Sequence, residues 1–269
     1  MRDGILQRNF VQLFGQGEKT MILAHGFGCD QTMWRYIVPA FTNEYRVVVF
    51  DFVGSGRSDW SAYSPERYRD LNGYAQDVLD ICACLNIRDA VYVGHSAAAM
   101  IGMLASIRQP DYFEKLVLIG PSPRYIDERP DYIGGFDAAD IEGLLQLMQD
   151  NHQGWAQYLA PLVMSNADRP ELARELGESF CAMDPDIAQR FARAVFLADN
   201  RADLKHVARP ALILQCAQDV IAPLEVGAYV HHRLPNSTLR FMEATGHCPH
   251  LSHPDETIGL IQDYLRHGA

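Results

Sequence analysis

The 269-residue sequence lacks an excess of basic side chains. Lys and Arg total 23 against 34 Asp and Glu, so the formal net charge is −11. Proteins that bind a phosphate backbone carry a basic surface. The charge balance therefore argues against nucleic acid and anionic membranes as partners.

Long apolar segments and a signal peptide are missing too. The longest apolar stretch, residues 97–107, is well short of the ~20 residues that span a bilayer. Residues 1–17 have neither the apolar centre nor the small-residue cleavage site of a signal peptide. We expect a protein that stays in the cytoplasm and does not enter a membrane.

A disulfide framework is the third absence. The six cysteines are dispersed along a chain in which 48% of the residues are hydrophobic. Disulfide frameworks belong to small secreted chains that cannot build a large core, so we predict reduced thiols. With 10% aromatic residues, the composition also excludes a disordered chain.

What the sequence does have is a series of short apolar runs separated by helix-sized intervals. They occupy residues 21–24, 46–50, 90–93 and 116–119, and the strand signal resumes at residues 211–215 and 238–242. Runs without polar alternation are typical of parallel strands that helices cover on both faces. The pattern predicts an α/β fold with a mostly parallel sheet, helices on both faces, and a final amphipathic helix over residues 254–267.

The segment between the two groups of runs contains no candidate strand. Apolar residues recur there at helical spacing in four stretches, around residues 141–148, 155–162, 172–180 and 187–195. We predict a core of residues 1–123 and 206–269, with an inserted lid of four helices at residues 124–205. Open α/β sheets bind ligands at the carboxyl ends of their strands, so the lid would cover a site there. An ordinary extra helical layer is the alternative.

The segment Gly94-His-Ser-Ala-Ala98 follows the run at residues 90–93 and precedes an alanine-rich helix. A sharp strand-to-helix turn exposes its central side chain and points the helix N-terminus at it. Such a turn needs small residues two places on either side of the serine; Gly94 fits, and Ala98 stands where a second glycine is usual. Taken alone, the segment fits a helix start capped by Ser96 equally well.

Two further residues give Ser96 a catalytic interpretation. A serine hydroxyl needs an adjacent base, which an acid in turn orients. Asp219 follows the run at residues 211–215, and His247 follows the run at residues 238–242. All three residues thus emerge at strand carboxyl ends, in the order Ser, Asp, His that is typical of α/β-hydrolases. We predict Ser96 as nucleophile, His247 as general base and acid, and Asp219 as its orienting partner.

The developing oxyanion of such a reaction needs N–H donors. The Ala97 amide lies at the start of the helix after the nucleophile. The loop His25-Gly-Phe-Gly28 follows the first strand, and its flanking glycines let it fold back. We therefore predict an oxyanion hole formed by the amides of Phe27 and Ala97.

Together these motifs resemble the α/β-hydrolase superfamily. More narrowly, they are similar to the bacterial stress-regulator hydrolase RsbQ and to the plant strigolactone and karrikin receptors. The segments that carry the resemblance are His25-Gly-Phe-Gly28, Asp51-Phe-Val-Gly-Ser-Gly-Arg-Ser58, Gly94-His-Ser96, Gln215-Cys-Ala-Gln-Asp219 and Gly246-His-Cys-Pro-His250. The resemblance implies an α/β-hydrolase fold, the same triad and oxyanion hole, and no cofactor. The departure from the family lies at Ala97-Ala98, where members more often carry a larger residue and then a small one.

The resemblance also implies a small apolar pocket under the lid. Phe27, Phe136, Trp155 and Phe196 occupy positions that favour lining it. Helix packing in an ordinary core is the alternative for the three lid aromatics.

Two other patterns suggest cofactor or metal chemistry only weakly. Gly54-Ser-Gly56 lacks the third glycine of a dinucleotide-binding turn, because Asp59 occupies its place. The group His247, Cys248, His250 and His253 does not have the spacing of a zinc site. We predict neither a metal nor a cofactor.

Three functions remain open at this point. The first is a serine hydrolase of the carboxylesterase or lactonase type, acting on a small apolar ester, lactone or butenolide-like ligand. The second is a receptor-like sensor with slow turnover; its resemblance to RsbQ implies a sensor-linked serine phosphatase in the stress response as partner. A carbon–carbon bond hydrolase or perhydrolase would use the same triad.

Overall fold

A seven-stranded sheet forms the centre of the molecule. The computed structural model describes the backbone of residues 2–268 and the side chains of residues 4–268. The strands are β1 (Gln12–Phe14), β2 (Lys19–Ala24), β3 (Tyr45–Phe50), β4 (Ala90–His95), β5 (Phe113–Ile119), β6 (Ala211–Gln218) and β7 (Ser237–Thr245). Their order is β1-β3-β2-β4-β5-β6-β7, and only β1 pairs antiparallel. The predicted mostly parallel sheet is confirmed.

Helices cover both faces of the sheet. The helices of the described residues, four of which belong to the lid described below, are α1 (Arg2–Arg8), α2 (Val38–Phe41), α3 (Leu71–Leu85), α4 (Ala97–Arg108), α5 (Ala138–Asp150), α6 (His152–Met164), α7 (Pro170–Ala182), α8 (Pro185–Phe196), α9 (Leu224–Arg233), α10 (Pro249–Ser252) and α11 (Pro254–His267). In β2, Met21 and Leu23 pack on the face that α2 and α11 cover. Ile22 packs on the opposite face with α3, α4 and α9. This two-sided burial explains why the strands read as continuous apolar runs.

The structure differs from the prediction at the N-terminal end. Strand β1 was not expected, because it has three exposed residues at the sheet edge and no buried run. The other six strands and the final helix α11 are confirmed, with bounds that differ by a few residues.

Four helices, α5 to α8, lie between β5 and β6 in the chain, as predicted. We call them the lid helices. The chain leaves the core and returns to it at one place, because the Asn200 N–H donates to the Pro123 carbonyl at 2.8 Å. Beside this hydrogen bond, Arg124 and Asp199 form an ion pair at 3.0 Å. The assignment of residues 124–205 to a separate lid unit stays a prediction.

No helix within residues 2–268 combines the length and apolar character needed to cross a membrane.

Candidate active site

Ser96 occupies a strained turn between β4 and α4. Its φ of 55° and ψ of −121° lie in a region that non-glycine residues rarely adopt, at a cost of about 1–3 kcal/mol. Gly94 permits the turn, because a Cβ at that position would lie 2.5 Å from the Ala98 carbonyl oxygen. The Ala98 methyl group is fully buried, so the turn accommodates the departure from the usual motif.

The structure brings Ser96, Asp219 and His247 together. His247 Nε2 lies 2.7 Å from Ser96 Oγ, and His247 Nδ1 lies 2.7 Å from Asp219 Oδ2. The other Asp219 oxygen accepts the backbone N–H groups of Ile221 and Ala222, at 2.8 and 3.1 Å. Because the carboxylate accepts from Nδ1–H, the neutral imidazole keeps Nε2 free to accept the serine proton. All three side chains are buried.

The Phe27 and Ala97 amides are both available as donors. In the described part of the chain, neither N–H group donates to a protein acceptor. The loop that holds Phe27 is organised by His25, whose Nδ1–H donates to the Gly26 carbonyl at 2.8 Å. His25 Nε2 accepts the Phe52 N–H at 3.1 Å, and burial lowers the pKa of this imidazole, which keeps it neutral.

A narrow cavity with a volume of about 30 Å³ lies beside Ser96. It is lined almost entirely by apolar side chains and by the candidate catalytic residues: Phe27, Cys29, His95, Ser96, Tyr125, Leu159, Val163, Leu176, Phe180, Val195, Phe196, Ile221, His247 and Cys248. We call it the inner cavity. Its apolar walls suit a small uncharged part of a ligand.

The four aromatic residues predicted to line the pocket lie in different places. Phe27 and Phe196 line the inner cavity, with ring centroids 6.0 Å apart. Trp155 stands behind it, fully buried, with its ring 5.1 Å from Phe180 and 6.1 Å from Phe27. Phe136 lies outside, in a surface groove.

This groove, the outer groove, has a volume of about 640 Å³. It is lined by Gly135, Phe136, Ala139, Asp140, Gly143, Leu144, Leu147, Tyr158, Leu159, Leu162, Val220 and Ile221. Leu159 and Ile221 also line the inner cavity, so the two spaces are adjacent. Four apolar side chains of the outer groove are exposed to solvent: Leu147, Tyr158, Leu162 and Val220. Exposed apolar side chains gathered in one groove indicate a binding surface.

Sequence reasoning missed Tyr125, which lines the inner cavity beside Ser96. Burial raises the pKa of Tyr125 to about 12, although a hydrogen bond with Ser96 opposes the rise. The phenol is therefore protonated at neutral pH. Its place in the loop after β5, at the same sheet edge as the other candidates, is the signal that could have found it.

The second histidine of the Gly246–His250 segment, His250, is fully buried. Within residues 2–268, no group of three or more His, Cys, Asp or Glu side chains is arranged to hold one. The His250 ring instead packs between Trp34 and His95, at centroid distances of 4.7 and 4.4 Å. Gly54 packs against Ile187 of α8.

Comparison with known proteins agrees with this geometry. The model of the Alpha/beta hydrolase family matches residues 21–260. The chain is 41% identical to the strigolactone esterase D14 of Arabidopsis thaliana over 97% of each chain. It is 39% identical to the karrikin insensitive 2 receptor CA of Petunia hybrida, over 96% of this chain and 95% of the relative. A solved hydrolase from Oleispira antarctica is 42% identical, with a TM-score of 0.97 over 99% of this chain and 98% of that one. The resemblance to hydrolases and to the plant receptors is confirmed, and the chain belongs to the alpha/beta hydrolase family.

Proposed function

We propose that the protein is a cofactor-free serine hydrolase that cleaves small apolar esters or lactones. The observation that carries the proposal is the continuous hydrogen-bond chain from Asp219 through His247 to Ser96, with both contacts at 2.7 Å. A serine next to a correctly oriented imidazole is an activated nucleophile. This chain of hydrogen bonds ends at Ser96 beside a cavity with apolar walls, which suit an uncharged acyl group.

Acylation begins when Ser96 Oγ forms a bond to the carbonyl carbon and its proton passes to His247 Nε2. The carbonyl π electrons move to the oxygen, and the Phe27 and Ala97 amides stabilise the resulting oxyanion. When the carbonyl re-forms, the C–O bond to the alcohol part breaks, and the departing oxygen takes the proton from His247. The product is an acyl-enzyme and a free alcohol, or an opened lactone still attached through its acyl end.

Deacylation reverses the roles. A water molecule attacks the acyl carbon while His247 Nε2 takes one of its protons. The bond to Ser96 Oγ then breaks, and that oxygen recovers the proton from His247. The carboxylic acid leaves, and the enzyme returns to its initial protonation state with no cofactor consumed.

The two spaces beside the triad indicate the shape of the substrate. The inner cavity has apolar walls that suit a small uncharged acyl group, and the outer groove, which shares Leu159 and Ile221 with it, offers apolar side chains to the rest of the molecule. We therefore assign short acyl esters and small lactones, including butenolides, as the substrate class. Relatives that are named esterases, such as the strigolactone esterase of Pisum sativum at 39% identity, support an ester or lactone.

The test is intact-mass analysis after incubation with short-chain esters and butenolides, comparing the wild type with Ser96→Ala. The proposal expects ester turnover, and an acyl adduct on the wild type that the variant lacks. The absence of both ester turnover and a Ser96-dependent adduct would overturn the proposal. Added hydrogen peroxide or 1,3-diketones test perhydrolase and carbon–carbon bond hydrolase activity in the same assay.

A ligand-sensing role is the second candidate. It is favoured by the exposed apolar side chains of the outer groove and by relatives that are named receptors. In this role the triad would turn over slowly, and the protein would act in the cytoplasm on a partner. By the resemblance to RsbQ, we propose a sensor-linked serine phosphatase of the stress response as that partner. Slow turnover together with a ligand-dependent rise in Tm would support it. Rapid turnover without a Tm shift would support the metabolic enzyme.

A further inference from the structure

The C-terminal end of lid helix α6 contacts the segment that carries the candidate general base. The His247 N–H donates to the Val163 carbonyl of α6 at 2.8 Å. Gly246 packs directly on the next carbonyl, because a Cβ at Gly246 would lie 2.0 Å from the Met164 oxygen. Gly246 also has a φ of 82°, which favours glycine. We call residues 245–247 the histidine segment. Its backbone and the backbone of α6 are thus in direct contact.

Asn166 completes this contact with its side chain. Its buried amide group donates to the Met164 carbonyl of the lid and, at 3.0 Å, to the Thr245 carbonyl of the histidine segment. Its oxygen accepts from Arg169 at 2.7 Å, and Arg169 in turn donates to the Ser252 carbonyl. Every polar atom of the Asn166 side chain therefore has a partner, which fixes the orientation of the amide.

The same backbone segment is held from the core side. His95 Nε2 lies 2.7 Å from the His247 carbonyl oxygen, so the backbone of His247 is held by the lid through its N–H and by the core through its carbonyl. A displacement of about 1 Å in a reacting group costs up to 10²-fold in rate. Loss of the lid-side contact would therefore change the distance between His247 and Ser96 and lower the rate.

We propose that Asn166 is a positioning residue for His247. This role rests on the proposed function, since it presumes that His247 acts as general base toward Ser96. The amide joins the lid to the histidine segment, so that the geometry of the base depends on the position of the lid. It acts through His247 and does not touch the substrate.

Two substitutions remove the contact in different ways. Asn166→Asp keeps the size and the acceptor for Arg169, and it places an acceptor oxygen against two carbonyl oxygens. Asn166→Ala removes the group. Asn151→Asp is the matched control: it makes the same change at the other end of α6, where Asn151 accepts the Gly154 N–H at 2.9 Å and an aspartate keeps this capping role.

The measurements are kcat and KM for p-nitrophenyl acetate, the rate of Ser96 labelling by a fluorophosphonate, and Tm. For both Asn166 variants we expect kcat and the labelling rate to fall about tenfold, with KM within twofold of the wild type. Asn151→Asp should match the wild type in all of these.

Three results would overturn the role. Asn166 variants that keep kcat and the labelling rate within twofold would contradict it. An equal loss in Asn151→Asp would contradict it too, because the effect would then belong to the lid in general. A wild type that is not labelled and does not cleave the ester would overturn the proposed function together with this role. A reactive wild type whose Asn166 variants are equally reactive would overturn the role of Asn166 alone.

Discussion

The His95 ring donates a hydrogen bond from Nε2 to the backbone carbonyl of His247 at 2.7 Å. A carbonyl oxygen only accepts, so the proton of the neutral His95 ring lies on Nε2. The two rings are also in contact, with centroids 4.9 Å apart. The residue immediately before the candidate nucleophile therefore supports the candidate base directly.

Removal of this hydrogen bond should lower activity more than stability. We expect His95→Leu to lower kcat/KM for p-nitrophenyl acetate about tenfold, because the His247 backbone loses its core-side donor. His95→Gln keeps a donor near the position of Nε2 and should recover most of the activity. Steady-state kinetics with Tm measurements check this expectation. Equal losses in the two variants would contradict it.

His250 should make the protein sensitive to acid. Burial, with the charges of His247 and Arg35, lowers the pKa of His250 to about 3. Below the unfolded-state pKa of about 6.5, His250 binds a proton in the unfolded chain but stays neutral in the folded protein. Above that pH, the free energy of unfolding is not reduced by His250. As the pH falls below it, the free energy of unfolding decreases by about 1.4 kcal/mol per pH unit.

The substitution His250→Phe tests this pH dependence, because it keeps a ring between Trp34 and His95 and removes the titration. We expect the slope of the unfolding free energy between pH 6 and pH 4.5 to decrease by about 1.4 kcal/mol per pH unit. Urea titrations at several pH values measure it. The exposed His232 of α9 provides the control: His232→Phe should leave most of the slope, and an equal effect of both variants would be the contrary result.

The two small residues that flank the nucleophile turn should respond very differently. Gly94→Ala places a methyl group 2.5 Å from the Ala98 oxygen, so we expect loss of folding or of fluorophosphonate labelling. Ala98→Gly should lower stability by about 1–2 kcal/mol, from helix propensity and lost burial, with labelling within a few-fold of the wild type. A large rise in labelling for Ala98→Gly would instead mean that the methyl group restricts the turn.

The outer groove should discriminate substrates by the size of the alcohol part. Leu162 of α6 is 43% exposed and lines the groove. We expect Leu162→Asp to raise KM several-fold for acetate esters of long apolar alcohols and to leave methyl acetate unaffected. Leu197→Asp is the matched control, because Leu197 is 45% exposed and follows the end of α8, outside the groove. Parallel changes in the two variants would argue against a substrate in the groove.

Burial explains which parts of the fold were predictable. Strands β2 to β6 carry apolar runs because helices cover both faces of the sheet there, and the lid helices show apolar stripes because one side of each is buried. Strand β1 has neither signal: Gln12, Leu13 and Phe14 are all exposed, and only their pairing with β3 makes them a strand. A pairing between distant segments leaves no periodic mark in the sequence.

The same contrast between local sequence pattern and long-range packing decides which residues of the candidate site could be predicted. Ser96, Asp219 and His247 could be placed because each follows a recognisable strand. Leu159 and Ile221, which line both spaces, could not be placed from the sequence, nor could the phenol of Tyr125 and the amide of Asn166. Their positions depend on how the lid helices pack on the core, which apolar spacing does not specify.

The hydrogen bond between Pro123 and Asn200 has a consequence for engineering and for divergence within the family. Because the chain leaves and rejoins the core at adjacent residues, the lid helices can be exchanged for those of a relative without altering the register of the sheet. Such a graft would carry half of the inner cavity wall and leave Ser96, Asp219 and His247 on the recipient. Ligand preference can therefore be changed by exchanging one continuous stretch of the chain, provided that the new stretch keeps Asn166 and its contact with the Thr245 carbonyl.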